Sequence, residues 1–468
     1  MTILDDELRE LTAIRQAASV RLDQQAARAM RFQMYYDGEE DIPALIDTDE
    51  RRTFRKFLAE AGANWCELIV NAVADRLAVT GFRFAGSGSL DAWAIWQASA
   101  MDADSKLVQK DALVTSSGLV LVQPDDDNPT GVSITAESPL EATVLYEPGN
   151  RRRRQAGYKR FSEDHGVTHT EVLILPDEIV TWHPGGAIDV DPNPAGEVGL
   201  IEVVPQPRTF GWPRSELTPC LPIQDRINTT IFARLVATDY GAFRQVWASG
   251  VKMAREVLTT PTDDGGTAQT TRAVRPYDIG VNRLLTNENP AGRFGAIPES
   301  TLGGYLSAVE QDVGQMAAIT QTPAHYLTGA LVNLSADAIK AAEAGLVAKV
   351  SDRALFIGEA WEDTIRVALR ITGNPAAEDT AAEVLWRDFE TRSIGQLTDS
   401  LVKMATLGVP RRVLWERYGA SPQEVERWEQ LAAAEQAATA ASAAAAFGAP
   451  DAAYARLLGA AGGQGAGT

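Results

Sequence analysis

The chain has 468 residues with a composition close to that of ordinary globular proteins, so it is long enough for more than one folded unit. Its 63 aspartates and glutamates outnumber its 43 lysines and arginines, which gives a net charge of −20. This balance argues against tight, static wrapping of nucleic acid, which depends on clustered cationic side chains, and leaves transient passage of nucleic acid open.

The amino-terminal stretch MTILDDELRELTAI is acidic and amphipathic and lacks the basic head and apolar core of a signal peptide. The sequence has no run of about eighteen apolar residues. We therefore expect a product of a reducing cytoplasm. Cys66 and Cys220 are far apart in the sequence and outside any Cys-x-x-Cys pair, so we predict that both are packing residues.

Helical spacing dominates the sequence up to about residue 80. Between residues 51 and 77 apolar residues recur every three or four positions, which predicts one buried helical face ended by Gly81. These residues are Phe54, Leu58, Ala61, Trp65, Leu68 and Ala72.

From about 118 to 206, short β-branched runs separated by Pro, Gly and Asp predict a mostly antiparallel sheet. We interpret Arg151–Arg154 as a flexible basic loop, with contact to a neighbouring subunit or to DNA as the alternative.

The second half of the chain predicts mainly helices. One helix follows Pro222 and runs to about Phe243, and a second covers 300–320; between them, 246–298 predicts a small β-containing module. From 336 to 371 apolar residues recur about every 3.6 positions, which predicts a single helix roughly 54 Å long with Ser335 as its N-cap. VLWRDFE then predicts a strand. A helical pair turned by Gly408 and Pro410, a last helix and a frayed low-complexity tail follow.

The motifs of common catalytic and cofactor sites are missing from the sequence. It contains no phosphate-binding loop, no His-Glu-x-x-His and no dinucleotide fingerprint, so we predict no enzymatic activity, no cofactor and no metal. His165 and His169 favour a solvated pair over metal ligands, and His183 precedes a proline in a turn. Asp125–Asp127 favour a solvated turn over a cation site, because the spacing of a calcium-binding loop is missing.

The segment Thr322–Ser335, TPAHYLTGALVNLS, has no charged residue and lies between two predicted helices. It contains His325, the histidine in the least ordinary setting. An apolar segment of this kind can be an active-site lid, a buried connection or a surface along which another molecule slides. The residues alone leave these three alternatives open.

Taken in order, several segments resemble the portal proteins of tailed phages, the head-to-tail connectors, in their long-tailed-phage form. The resemblance extends from about residue 30 to 430, and its specificity lies in the order and spacing of the segments. They include MYYDGEEDIP (34–43), NWCELIVNAVADRLAVTGFRF (64–84), ITAESPLEATVLYEPG (134–149), PQPR (205–208), SELTPCLPIQDRIN (215–228), RQVWASG (244–250) and VLWRDFETRSIGQLTDSLVKMATLGVP (384–410).

The resemblance implies an α+β portal fold with a mixed α/β wing, a two-helix stem, a small β-containing clip, a long wing helix and a helical crown. The implied parts are 1–218 (N-terminal helices and wing), 219–245 (stem helix), 246–298 (clip), 299–320 (second stem helix), 321–335 (tunnel loop), 336–390 (long wing helix and wing strand), 391–434 (crown) and 435–468 (low-complexity tail).

The implied function is that of a non-enzymatic, dodecameric ring at the unique capsid vertex, assembled in the host cytoplasm. Double-stranded DNA passes through such a ring during packaging and ejection. The implied partners are the terminase large subunit, the major capsid and scaffolding proteins, and head-completion or adaptor proteins. Two alternatives stay open: a ring-forming capsid or tail subunit that does not contact DNA, and a nucleic-acid enzyme that uses His325.

The resemblance places the uncharged segment at the tunnel loop. An uncharged loop suits passing DNA, because each captured phosphate deepens a local energy well. The predicted DNA-facing residues are His325, Tyr326, Leu327, Thr328, Leu331, Val332 and Asn333, and Gly329 is the predicted hinge. A buried interhelical turn is the alternative.

Overall fold

The computed structural model describes residues 5–40, 57, 60–84, 88–162, 166–242, 246–249, 255–261, 267–273, 291–296, 301–329, 336–390 and 394–447. The chain divides into two units. The first consists of Met1–Asp41, Asn64–Gln224 and Gly314–Thr468, and the second of Ile42–Ala63 and Asp225–Val313. Among the described residues, no helix is both long enough and apolar enough to cross a membrane.

The first unit begins with four helices and a strand. They are α1 (Asp5–Asp37), α2 (Cys66–Ala74), β1 (Val79–Arg83), α3 (Gly88–Ala98) and α4 (Met101–Thr115). The prediction of one helical face across 51–77 is wrong, because residues 62–65 are not helical and α2 begins at Cys66. Asn64 Oδ1 accepts a hydrogen bond of 3.2 Å from the Glu67 N–H, which satisfies a donor that the helix start leaves open.

The predicted helix end is also corrected. The helix ends at Ala74, and Gly81 lies inside strand β1. A Cβ at Gly81 would lie 2.8 Å from the ring of Pro422, so this glycine allows the carboxy-terminal part of the chain to approach β1 closely. Phe54 and Leu58 lie outside the described residues.

The predicted sheet region is confirmed as antiparallel. Its strands are β2 (Gly118–Pro124), β3 (Val132–Glu137), β4 (Ala142–Glu147), β5 (Asn150–Phe161), β6 (Thr170–Ile174), β7 (Glu178–Trp182), β8 (Ile188–Pro192) and β9 (Leu200–Val203). Among the described residues they form two sheets, of order β3-β2-β9 and β4-β5-β6-β7-β8.

The core lies on both faces of the second sheet. On one face Leu11 and Leu22 of α1 pack with Tyr158 and Leu173. On the other face Ile174 packs with Leu119 and Leu200 of the first sheet. Leu173 and Ile174 thus point to opposite faces, as neighbouring residues in a strand must.

The interpretation of Arg151–Arg154 as a flexible loop is wrong, because all four residues lie in strand β5. The turn before them falls at Gly149, whose φ of +81° is accessible to glycine, and the pairing of β4 with β5 shifts its register between Asn150 and Arg154. Arg153 forms an ion pair of 3.0 Å with Glu147. Arg154 is paired with Glu197 and with Asp363.

The predicted long helix is confirmed as α8 (Ala336–Ile371), which follows α6 (Gly303–Thr320) and α7 (Ala324–Thr328). Its apolar stripe is buried from Leu346 onward, whereas Ala342 is exposed. Trp361 contacts Trp96 edge-on, with ring centroids 5.3 Å apart. The following strand, β14 (Glu383–Trp386), pairs antiparallel with β1 and is shorter than the predicted 384–390.

Three helices end the described chain: α9 (Ile394–Thr406), α10 (Arg411–Tyr418) and α11 (Pro422–Phe447). Gly408, with φ of +86°, lies in the predicted turn between α9 and α10. The prediction of a frayed tail from 435 is wrong as far as Phe447, because α11 continues through the alanine-rich sequence. Alanine has the highest intrinsic helix propensity, so this stretch is helical although it is exposed. Residues 448–468 lie outside the described ones.

Among its described residues the second unit contains most of α5 (Leu221–Ala242), the first part of α6 and four strands. The strands β10 (Val246–Ser249), β11 (Arg255–Pro261), β12 (Thr267–Ala273) and β13 (Arg293–Ala296) confirm the predicted β-containing module. β10 pairs with β13 and β11 with β12, both antiparallel. Within this unit Arg226 Nε on α5 donates a 2.9 Å hydrogen bond to Asp312 Oδ1 on α6.

Candidate functional site

The uncharged segment begins as a short helix. After α6 ends at Thr320, Gln321 adopts φ of +54° and turns the chain, and α7 follows over Ala324–Thr328. Gly329, with φ of +65°, closes α7 in a left-handed conformation, and its N–H donates 3.0 Å to the carbonyl of His325. A glycine in this conformation is a common helix C-cap, so Gly329 has the backbone freedom that the hinge prediction requires.

The structure places the predicted site residues on two sides of α7. Leu327 is buried, and Trp65 Nε1 donates a 3.1 Å hydrogen bond to its carbonyl oxygen. The prediction that Leu327 faces DNA therefore does not hold in this conformation, because the helical turn directs this side chain into the core. Thr328 and Gly329 are exposed, and His325 is half-buried. Leu331, Val332 and Asn333 lie outside the described residues.

Tyr326 connects α7 to two distant parts of the first unit. Its hydroxyl accepts a 2.9 Å hydrogen bond from Arg76 Nη2 and donates one of 2.8 Å to Glu343 Oε1 in α8. Arg76 and Glu343 also form an ion pair of 3.7 Å, and the Arg76 guanidinium lies 5.7 Å from the centre of the Tyr326 ring. We call Arg76, Tyr326 and Glu343 the Tyr326 cluster.

Sequence reasoning missed Arg76 and Glu343. Arg76 is separated from Tyr326 by 250 positions, so local periodicity carries no signal for this contact. Glu343 lies on the apolar side of α8, one turn before Leu346, and no local pattern links its carboxylate to Tyr326. Only the folded chain brings these two residues to Tyr326.

A second cluster, deeper in the first unit, holds the end of α6. Lys349 Nζ lies 2.8 Å from Glu216 Oε2 and donates a 2.9 Å hydrogen bond to the carbonyl of Thr320. Arg353 Nε also pairs with Glu216. Burial alone would raise the pKa of Glu216, but the charges of Lys349 and Arg353 lower it below its ordinary value. We call Glu216, Lys349 and Arg353 the Glu216 cluster.

The other residues with candidate chemistry lie in ordinary structural settings. Cys66 and Cys220 are both buried, which confirms their prediction as packing residues. His183 Nε2 lies 2.8 Å from Asp189 Oδ2 beside a turn, and the Asp127 N–H donates to Asp125 Oδ1 within another turn. Within the described part of the chain, no group of three or more His, Cys, Asp or Glu side chains is placed to hold a metal ion.

Comparison of the sequence with models of known protein families shows which family this chain belongs to. The model of the family described as "Phage portal protein, SPP1 Gp6-like" matches residues 20–438. The chain belongs to this family. Two portal proteins of mycobacteriophages are similar to it: that of Mycobacterium phage L5 is 28% identical over 424 residues, which cover 86% of this chain and 84% of the relative. That of Mycobacterium phage D29 is 27% identical, with the same coverage of both chains.

Membership of the portal family confirms the predicted resemblance to portal proteins of tailed phages and the predicted α+β fold. Portal proteins are structural proteins that form an oligomeric ring with the capsid and DNA. The function of this chain is that of a portal at the capsid vertex, used for DNA packaging. The Tyr326 and Glu216 clusters are therefore parts of a portal subunit.

Proposed function

We propose that this portal protein forms a dodecameric ring and that the exposed side of 324–329 lines the narrow part of its DNA channel. The observation that carries the proposal is the chemistry of that side. Thr328 and Gly329 are exposed and uncharged, and no charged residue occurs from Thr322 to Ser335. His325 and Thr328 contact the passing duplex, together with Leu331, Val332 and Asn333 farther along the segment.

A neutral channel surface suits a moving polyanion for a simple electrostatic reason. A lysine or arginine that captures a phosphate releases counterions, and this gain in free energy must be lost again before the DNA advances. Thr328 offers a hydroxyl that exchanges its partners with water at little cost. The net charge of −20 also repels DNA from other surfaces over about 8 Å at physiological ionic strength.

Different parts of the chain have different roles around this channel. We assign α5 and α6 to the stem, β10–β13 to the clip and α7 to the tunnel loop. We assign α9, α10 and α11 as far as residue 434 to the crown, the residues from 435 onward to the tail, and the remaining elements to the wing. The clip docks the terminase large subunit, which supplies the energy for packaging, and later the head-completion proteins. The wing contacts the major capsid and scaffolding proteins. The ring assembles in the host cytoplasm, has no enzymatic activity of its own, and releases DNA through the same channel on ejection.

Photo-crosslinking tests the assignment of the segment directly. A photoreactive amino acid replaces Thr328 in particles arrested during packaging, and a matched control carries it at Phe210, which is 84% exposed in the first unit. We expect crosslinks to DNA from position 328 and none from position 210. Assembled particles that contain DNA but give no crosslink at 328 would favour the alternative of a structural ring subunit that does not contact DNA.

A charge placed in the segment tests the electrostatic argument. Thr328→Lys introduces a phosphate-binding group, so we expect slower packaging at low salt and recovery as the salt concentration rises. Thr328→Gln is the control of similar reach without charge, and it should package at the rate of the unmodified protein. Equal packaging by the lysine and glutamine variants at low salt would contradict the requirement for neutrality.

A further inference from the structure

The short helix α7 cannot set its own orientation. It has five residues, and helices of this length are unstable in isolation, so its position depends on contacts with the rest of the subunit. Two of these contacts hold its buried side: the Leu327 side chain in the core and the hydrogen bond from Trp65 Nε1 to the Leu327 carbonyl. The Tyr326 hydroxyl provides a third contact, which fixes the rotation of α7 about its own axis.

The donor and acceptor roles in the Tyr326 cluster are determined by chemistry. Arg76 can only donate hydrogen bonds, and ionised Glu343 can only accept them. The Tyr326 hydroxyl can do both, and it therefore accepts from Arg76 and donates to Glu343. A phenylalanine at 326 would fill the same space but could make neither bond.

The two partners tie α7 to different elements. Arg76 follows α2, and its Nη1 also donates a 3.0 Å hydrogen bond to the carbonyl of Ala72 in that helix. Glu343 lies near the start of the long helix α8, about one turn before its buried stripe begins at Leu346. Tyr326 thus connects the start of α8 with the end of α2 through a single hydroxyl group.

We propose that Arg76 and Glu343 are positioning residues for the segment 324–329. By sharing the Tyr326 hydroxyl, they hold Thr328 and Gly329 turned outward. Because Glu343 belongs to α8, a movement of the start of α8 would also move Thr328 and Gly329. The consequence for DNA rests on the proposed function, but the positioning itself does not. Arg76 Nε is buried without a hydrogen-bond partner among the described residues, so the cluster is incompletely satisfied and opens more easily than a fully paired one.

Hydrogen exchange on Tyr326→Phe tests the positioning. Loss of both bonds should speed amide exchange in 325–329 about fivefold or more, because one hydrogen bond contributes about that factor. Tyr36→Phe is the matched control, since the Tyr36 hydroxyl bonds Asn71 in the same helix α2 at 3.1 Å without touching α7. We expect the control to leave exchange in 325–329 unchanged. Unchanged exchange in Tyr326→Phe would overturn the proposal.

A second variant covers the case in which Tyr326→Phe fails to fold. Glu343→Gln keeps an acceptor for the hydroxyl but removes the charge that faces Arg76, so it should speed exchange in the same segment to a smaller extent. The Thr328 crosslinking experiment separates the two proposals. Faster exchange without any crosslink to DNA leaves the positioning standing and removes the proposed DNA contact. Crosslinks with unchanged exchange in both variants would remove the positioning alone.

Discussion

The Glu216 cluster and the Tyr326 cluster both bind the long helix α8 to earlier parts of the subunit, but at different depths. The side chains of Lys349 and Glu216 are 3% and 4% exposed, whereas those of Arg76 and Glu343 are both 13% exposed. The first cluster lies on the buried part of α8 and the second near its exposed start. Opening the first leaves unpaired charges in the core, whereas opening the second brings its groups to water. The same helix therefore has one fixed anchor and one adjustable contact.

The largest expected effect comes from breaking the deep anchor. Glu216→Gln removes the carboxylate that compensates Lys349 and Arg353, and an uncompensated buried charge costs about 3–5 kcal/mol. The free energy of unfolding, measured with urea, should fall by that amount. Glu359→Gln, at an exposed position of α8, is the control and should change it little. A loss no larger than that of the control would show that the deep cluster is not an anchor.

Asp111 in α4 is a partly buried carboxylate without such partners among the described residues, and it should respond to pH in the opposite direction. Burial raises the pKa of Asp111 in α4 to about 6. The folded state then holds a proton that the unfolded state releases, so stability falls as pH rises from about 4 through 6. Glu216 has a lowered pKa, so its contribution is lost as pH falls.

Asp111→Asn tests whether stability falls as pH rises. The variant should be more stable than the parent above pH 6, by at most about 3 kcal/mol, since one pKa unit corresponds to about 1.4 kcal/mol. Thermal unfolding midpoints between pH 4 and pH 8 measure the difference. Parallel pH profiles of variant and parent would contradict the raised pKa.

Breaking the shallow contact should cost less. Glu343→Gln weakens the hydrogen bond from Tyr326 and removes the ion pair with Arg76, which together should cost about 1 kcal/mol. Urea unfolding under the conditions used for Glu216→Gln gives the comparison. If both variants lost the same stability, the distinction between a fixed anchor and an adjustable contact would disappear.

The smallest effect on stability is expected at Gly345, which lies in α8 between Glu343 of one cluster and Lys349 of the other. A Cβ at Gly345 on α8 would meet no atom within 4 Å among the described residues, so Gly345→Ala should stabilise the helix by about 0.5–1 kcal/mol. Gly118→Ala is the contrasting variant, because its Cβ would collide with the carbonyl oxygen of Val108. A higher unfolding temperature for the first and a lower one for the second is the expected result.

Local patterns predicted the elements but not the contacts between them. The bounds of α8 followed from its 3.6-residue period, and the strands from β2 to β7 largely followed from β-branched runs. The same periodicity failed across residues 62–65, because apolar spacing continues through a break that Asn64 caps. It also failed at Arg151–Arg154, because charge suggested a loop, whereas Asn150 and Arg154 pair with β4 and the residues between them lie in an irregular part of strand β5.

The absence of charged residues located the candidate segment in the sequence, but it did not predict the structure of that segment. The sequence indicated an uncharged stretch between helices, but α7 within it depends on contacts with Trp65, Arg76 and Glu343. These partners are distant in sequence or carry no local signal. Leu327 shows the consequence: its apolar side chain suggested contact with DNA, whereas the fold uses it as a core residue.

Electron cryomicroscopy of the purified oligomer tests the central claim most directly. The account predicts a ring of copies around an open channel, with Thr328 and Gly329 nearest the axis and the Tyr326 hydroxyl still between Arg76 and Glu343. A ring in which residues 324–329 are enclosed between subunits and away from the axis would contradict it.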